Sequence, residues 1–183
     1  GRFRERYPEI DVRISATLTL TDFQRDDVDM VVRYGMGAWD GVHIVRMMTE
    51  DIYPVCGPAL LVGPNALRRP EDLRHHTLLH DDAEVDWAMW LLAAGIEEIE
   101  STRGSFFTDS AMVVQAAVAG QGVALARGAL AADDIAAGRL VKPFDFVIPA
   151  EYAYYILCPE ASVDRPKIAA FRDWLLEEAG AGR

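Results

Sequence analysis

The sequence predicts an α/β protein built on a parallel sheet, and three features carry that prediction. Strand, helix and strand patterns alternate early in the chain, the order that builds parallel sheets. Residues Phe107 to Arg127 read as loop, helix, tight turn and strand. The chain then closes on an amphipathic helix in which Ile168, Phe171, Leu175 and Ala179 follow i, i+3, i+7, i+11. With 51% apolar and 26% charged residues in a chain of 183, there is ample material for the core of one large domain or two small lobes.

In order, Phe3 and Tyr7 are spaced i, i+4 ahead of Pro8, so the chain reads as starting inside an element; with no initiator Met it reads as a fragment. Asp11 to Ala16 alternates, with Val12, Ile14 and Ala16 on one side and Arg13 and Ser15 on the other, which predicts a strand. Thr21 and Gln24 have capping-box spacing for a short helix through about residue 27. Asp29 to Arg33 is the next strand, broken by Gly35 and Gly37, and Val45 to Glu50 and Asp51 to Gly57 add two more. A one-turn helix at Arg69 to Leu73, a strand at Thr77 to His80 and a helix from Asp86 to Ala94 ended by Gly95 follow. The segment on to Glu100 is acidic surface. After Arg127 come a helix from Ala129 to Ala137 closed by Gly138, strands at Leu140 to Phe144 and Tyr152 to Cys158, and the last helix with Asp164 as cap and Pro166 at its first position.

The 107–127 stretch is the one the chain is organised around. Thr108, Asp109 and Ser110 are N-cap candidates ahead of Ala111 to Ala119, Gly120 ends the helix, and Val123 to Ala126 is a short apolar strand. A helix start presents free N–H groups and partial positive charge, a seat for a carboxylate or phosphate. The same pattern also describes an ordinary capped helix on a sheet, and the residues alone leave both readings open.

Several function classes are excluded by composition. No apolar run approaches the roughly 20 residues that span a bilayer, and the arginine-rich, polar opening is no signal peptide. The formal net charge is −11, and from His75 to Thr102 there are seven acidic residues with no Lys or Arg. Nucleic-acid binding draws on a basic face, so this chain is not expected to bind DNA by itself. Cys56 and Cys158 read as reduced core thiols, with a redox switch as the sharper alternative; their separation is no metal-ligand spacing.

Candidate chemistry is sparse. His76, His80, Asp81 and Asp82 contain metal-binding residue types, but i, i+4 spacing serves a metal on a helix and this stretch reads as strand, so no metal is assigned. His43 reads as an exposed loop residue. There is no nucleophile elbow, no Cys beside a His, and no base in reach of Ser110, so no catalytic residue is assigned. Gly120-Gln121-Gly122 follows a helix, the wrong context for a phosphate loop or dinucleotide fingerprint, and no cofactor is expected. Ligands of open α/β sheets lie beyond the C-terminal strand ends, which points to Thr17, Arg33 and Tyr34. For Arg33 the alternative is an ion pair with Asp26, Asp27 or Asp29. Period-2 alternation puts Tyr152 and Tyr154 on one face and Tyr155 on the other.

The wording DSAMVVQAAVAGQGVALA (109–126) resembles the effector-binding domains of LysR-type transcriptional regulators, in the glycine-cleavage-activator-like subgroup. YPEIDVRISA (7–16), DDVDMVVRYGMGAWDG (26–41), EDIYPVCGPALL (50–61) and RPKIAAFRDWLLEEA (165–179) resemble the same domains in the same order. The resemblance implies an α/β fold of two Rossmann-like lobes joined by two crossing strands, as in type II periplasmic binding proteins. Lobe one is then 1–58 with 155–183 and lobe two 59–154, and a winged helix-turn-helix, linker helix and first strand are absent from this chain. If the crossing strands are antiparallel neighbours, as the resemblance implies, Cys56 and Cys158 lie close together. The implied function is a cytoplasmic effector sensor, not an enzyme, that takes a small, carboxylate-bearing molecule between its lobes. It contacts DNA only through the absent domain, makes no membrane contact, and self-associates as a homodimer or tetramer. The implied ligand-binding residues are Thr17, Arg33, Tyr34, His80, Trp87, Asp109, Ser110, Tyr152 and Tyr154, with Tyr154 preferred of the last two. A solute-binding protein of the same fold, and an enzyme using His80, Asp81 or Asp109, are the alternatives.

Overall fold

Strand β1 (Val31–Gly35) lies antiparallel to the long strand β6 (Ile148–Cys158), with Tyr34 opposite Tyr154 and Arg33 opposite Tyr155. This is the centre of the first of two compact units, Gly1–Thr49 with Glu151–Arg183, in a computed structural model that describes residues 1–17, 19–82 and 85–181. Helix α1 (Arg2–Arg6) and the C-terminal helix α5 (Pro166–Ala181) belong to the same unit. Phe3 is buried and sets its ring 4.8 Å from Phe171 and 5.3 Å from Trp174, centroid to centroid, so aromatic packing fastens α1 to α5. Arg2–Glu178 and Arg6–Glu177 ion pairs flank that contact, and Lys167 Nζ meets Asp29 Oδ2 at 2.8 Å.

The second unit, Glu50–Ala150, is built on β5 (Val123–Arg127). β5 runs antiparallel to the Ile52–Cys56 end of β2 (His43–Cys56) and parallel to β3 (Leu78–His80), which pairs in parallel with β4 (Gly104–Phe106). Helices α3 (Ser110–Val118) and α4 (Gly128–Ala136) pack Val113, Val114, Ala117 and Ala131 against Val55, Leu79 and Ala124. A second cluster gathers Trp87 and Trp90 of α2 (Trp87–Ala93) with Leu73, Leu78, Val123 and Phe144. Each large apolar side chain among them contributes about 1.5–3 kcal/mol on full burial, so these two clusters are what hold the unit. The sheet order is β1-β6-β2-β5-β3-β4.

The α/β class is as expected, but the sheet is mixed rather than parallel. Alternation of side chains has the same period in both kinds of ladder, so a pattern of strands does not encode their direction. Asp11 to Ala16 forms no strand: it has no ladder partner among the described residues, and Ile14 is 89% exposed. The helix expected after Thr21 is a turn, in which Asp22, not Thr21, accepts from Gln24 N at 2.9 Å and Asp26 Oδ2 accepts from Asp22 N. The two strands expected over 45–57 are one, β2. Leu140 to Phe144 contributes a single bridge, Val141 with Cys56, instead of a strand. Arg165 rather than Asp164 precedes α5, its carbonyl accepting from Ile168 N and Ala169 N, each at 2.9 Å. His43 opens β2 half-buried, its Nδ1 3.9 Å from a carboxylate oxygen of Glu160. Cys56 and Cys158 are buried free thiols.

Candidate functional site

The residues singled out by sequence fall on both units. On the first, antiparallel pairing of β1 with β6 sets Tyr34 among tyrosines: its ring centroid is 4.9 Å from that of Tyr154 and 5.6 Å from that of Tyr152. All three are half-buried. Tyr155 points to the opposite face, where it meets Trp39 at 5.5 Å. The chain leaves β1 over that ring through Gly37, whose φ is +84° and whose Cβ, were there one, would lie 2.7 Å from the Tyr155 hydroxyl. Glycine is required there for both reasons.

Arg33 is half-buried and donates to the carbonyl of Thr19. Among the described residues it makes no ion pair, and Asp29, one of its expected partners, is taken by Lys167. Thr17 is exposed, and its hydroxyl accepts from Thr19 N at 3.1 Å. Thr17 and Arg33 therefore converge on the same residue.

On the second unit, Asp109 is the N-cap of α3: its Oδ1 accepts from Ala111 N at 2.7 Å. Ser110, the first helical residue, is half-buried, and its Oγ accepts from Arg127 Nη1 at 2.7 Å. Behind them is Glu50, only 4% exposed, whose two carboxylate oxygens both lie 3.3 Å from Ala129 N at the start of α4. Burial raises the Glu50 carboxyl above the usual carboxylate value; the hydrogen bond from Ala129 and the charge of Arg127 act against that rise without cancelling it.

His80 and Trp87 are placed differently from Ser110. His80 is 6% exposed, stacked on Phe106 with centroids 4.3 Å apart, its Nε2 3.4 Å from the Arg103 carbonyl. Trp87 is a core residue, 1% exposed, its indole N–H donating to the Leu79 carbonyl at 3.0 Å. Its spacing in α2 is that of the apolar stripe, and burial takes the ring. His76 meets the Asn65 carbonyl through Nε2 at 2.7 Å, away from any cation-binding group of residues among those described. Two open concavities of about 300 and 390 Å³ lie beside Arg74 and Glu98, and none of the nine expected ligand residues lines them.

Glu50 and Arg127 were missed by sequence reasoning. The available signal for Arg127 was its place at the C-terminal end of an apolar strand, the rule that selected Arg33. Glu50 gave none, because a single acid inside a strand reads as solvent-facing until its neighbours are known.

Comparison with known proteins decides what kind of domain this is. The family profile described as LysR substrate binding domain matches residues 1–180. The chain belongs to that family. This LysR substrate-binding domain is 45% identical over 179 residues to the glycine cleavage system transcriptional activator of Escherichia coli (strain K12), covering 98% of this chain and 59% of that protein. The chain thus spans less than two thirds of the curated relatives it matches. Among solved structures it is similar to the effector domain of the transcriptional regulator AmpR of Pseudomonas aeruginosa, with TM-score 0.80 and 31% identity over 98% of this chain and 86% of that one. It is also similar to the Citrobacter freundii effector-binding domain carrying three amino acid substitutions, threonine to valine, serine to alanine and tyrosine to phenylalanine. There the TM-score is 0.78 and the identity 26%, over 97% and 88% of the two chains. The relatives are transcriptional activators and regulators rather than enzymes, and their domains have the type II periplasmic-binding-protein-like fold. Among the described residues no helix is long and apolar enough to cross a membrane.

Proposed function

We propose that this domain senses a small, carboxylate-bearing metabolite for a cytoplasmic transcriptional regulator. Binding is coupled to DNA through an N-terminal domain outside this chain. The observation that carries the proposal is Ser110. Its hydroxyl stands at the first turn of α3, where backbone N–H groups and partial positive charge are presented, with the guanidinium of Arg127 on the same oxygen. Asp109 keeps that turn in place by capping it. Tyr34, Tyr152, Tyr154, Arg33 and Thr17 belong to the same proposal, as aromatic area and polar groups for the effector. The serine and tyrosine changed in the Citrobacter relative are of the residue types this reading uses. His80, stacked and nearly buried, supports the wall rather than the contact.

Function follows by linkage: an effector shifts a regulator only as far as it binds one arrangement better than the other. Self-association as a homodimer or tetramer is part of the proposal. The test is a thermal-shift screen of amino acids, short peptides and aromatic carboxylates. A ligand at 100 times its dissociation constant adds about 2.7 kcal/mol. The expected result is a carboxylate whose stabilisation is lost in Ser110→Ala and reduced in Tyr154→Phe. A hit that both variants bind as tightly as the parent chain refutes the assignment of these residues.

A further inference from the structure

We propose that Arg127 fixes the hydroxyl of Ser110 as a hydrogen-bond donor, so that this position selects an anionic oxygen on the effector and rejects a donor group. The inference deepens the proposed function and rests on it.

A guanidinium has five N–H donors and no acceptor, so in the 2.7 Å contact with Ser110 the hydroxyl oxygen must accept. A lone pair of Oγ is thereby engaged and the O–H is polarised, and the hydroxyl hydrogen has to be directed away from Arg127. The next group met along it is best an acceptor. A charged donor makes this contact stronger than a neutral pair, which holds the orientation. Positive charge is delivered to the same place by the start of α3. A ligand ammonium would meet a cation and a donor there; a carboxylate meets two attractive groups.

The buried acid Glu50 lies within electrostatic reach of Arg127. Arg127 ends β5, opposite Ile52 in the ladder, two residues along β2 from Glu50. Glu50 is 4% exposed, and Ala129 N lies 3.3 Å from both of its carboxylate oxygens. The charge of Arg127 favours the ionised form of Glu50, against the larger effect of burial. Arg127 is thus a positioning residue: its guanidinium donates to Ser110 Oγ and so sets the direction of that hydroxyl.

The test is a titration of the ¹⁵N-labelled chain with two fragment probes, acetate as an acceptor-only anion and methylammonium as a donor-only cation. Binding is read from the amide signals of Ser110 and Ala111. Acetate is expected to shift both saturably and methylammonium neither. Arg127→Met is expected to weaken acetate by about tenfold or more, the size of one charge-assisted hydrogen bond. Arg25→Gln, which removes an equal charge from an exposed side chain of the first unit, is expected to leave it unchanged. Should Arg127→Met fail to fold with Glu50 uncompensated, the Glu50→Gln/Arg127→Met pair removes both charges and gives the same reading. Acetate binding at Ser110 that survives loss of Arg127, or methylammonium binding there as tightly, overturns this inference alone. Absence of any acetate shift at Ser110 and Ala111 in the parent chain overturns the carboxylate reading and this inference with it.

Discussion

Arg127, the last residue of β5, holds the hydroxyl of Ser110, the first residue of α3, from 2.7 Å. The helix leaves the sheet end and the strand returns to it, so a helix-turn-strand unit necessarily brings its first and last residues together. Thr77 anchors the return, its carbonyl accepting from Val123 N at 2.9 Å. The polar pair is therefore a consequence of a fold unit whose fully buried side chains are apolar.

Asp109 and Ser110 play different parts at the start of α3. Asp109 Oδ1 caps Ala111 N, whereas the Ser110 hydroxyl makes no contribution to the helix cap. Asp109→Ala is expected to cost about 1 kcal/mol, the usual size of a lost N-cap, and Asp109→Asn much less. Ser110→Ala leaves the cap intact but removes the acceptor of Arg127 Nη1, so it is expected to cost about 1–2 kcal/mol as well while abolishing effector stabilisation. Urea unfolding of the three variants with and without effector checks this; effector stabilisation that survives in Ser110→Ala, or is lost in Asp109→Asn, would contradict it.

Glu50 links the same cluster to pH. Its folded-state carboxyl is raised above the usual value near 4.5, chiefly by burial. A raised folded value means the folded chain keeps a proton the unfolded chain has released. That contribution to stability is complete below about 4.5 and is lost as pH rises through the folded value. Glu50→Gln retains an acceptor for Ala129 N and carries no charge to bury. Scanning calorimetry from pH 4 upward should show the melting temperature of Glu50→Gln improving relative to the parent as pH rises. A difference that is flat or runs the other way contradicts it.

What could be read from the sequence was whatever is local. The period of Ala111 to Ala119, the cap at Asp109, the glycine closures at Gly95, Gly120 and Gly138, and the opposite faces of Tyr154 and Tyr155 all have causes within a few residues, and each is found in the structure. Asp11 to Ala16 failed because a strand is a property of a pair, and alternation supplies only one member. Asp51 was read as a strand boundary, yet a charged side chain on the exposed face interrupts nothing, and β2 runs through it. Glu50 was invisible, and so was its nearness to Arg127, because the ladder that brings the two near each other joins segments far apart in the chain.

Both cysteines are expected to be chemically silent in the folded chain. Cys56 is fully buried and its thiol is pushed up to about 11, and burial raises Cys158 as well. Thiolate is the reactive form, so an aromatic disulfide reagent at neutral pH should label neither in native protein and both in denaturant. The raised values also have a stability consequence. Above about 9 the unfolded chain ionises its thiols while folded Cys56 does not, so stability falls as pH rises towards 11. Rapid native labelling of Cys56 would show that its burial is broken by frequent opening.

Gly122 is the tightest point of the turn into β5. A Cβ built there would lie 2.3 Å from the Thr77 carbonyl oxygen and 3.1 Å from the Thr77 carbonyl carbon, both backbone atoms. Neither can rotate away, and that oxygen already accepts from Val123 N to begin the parallel ladder of β5 with β3. Gly122→Ala must therefore either push β3 from β5 or break the first ladder bond, and overpacking of this kind costs about 1–3 kcal/mol. At about 2–4 °C per kcal/mol for a domain of this size, the loss is measurable by melting. Gly180, in the last turn of α5, has nothing within 4 Å of a Cβ, and Gly180→Ala should be neutral or stabilising by up to about 1 kcal/mol. Equal melting temperatures for the two variants would mean that Thr77 and β5 are not held as closely as the parallel ladder requires.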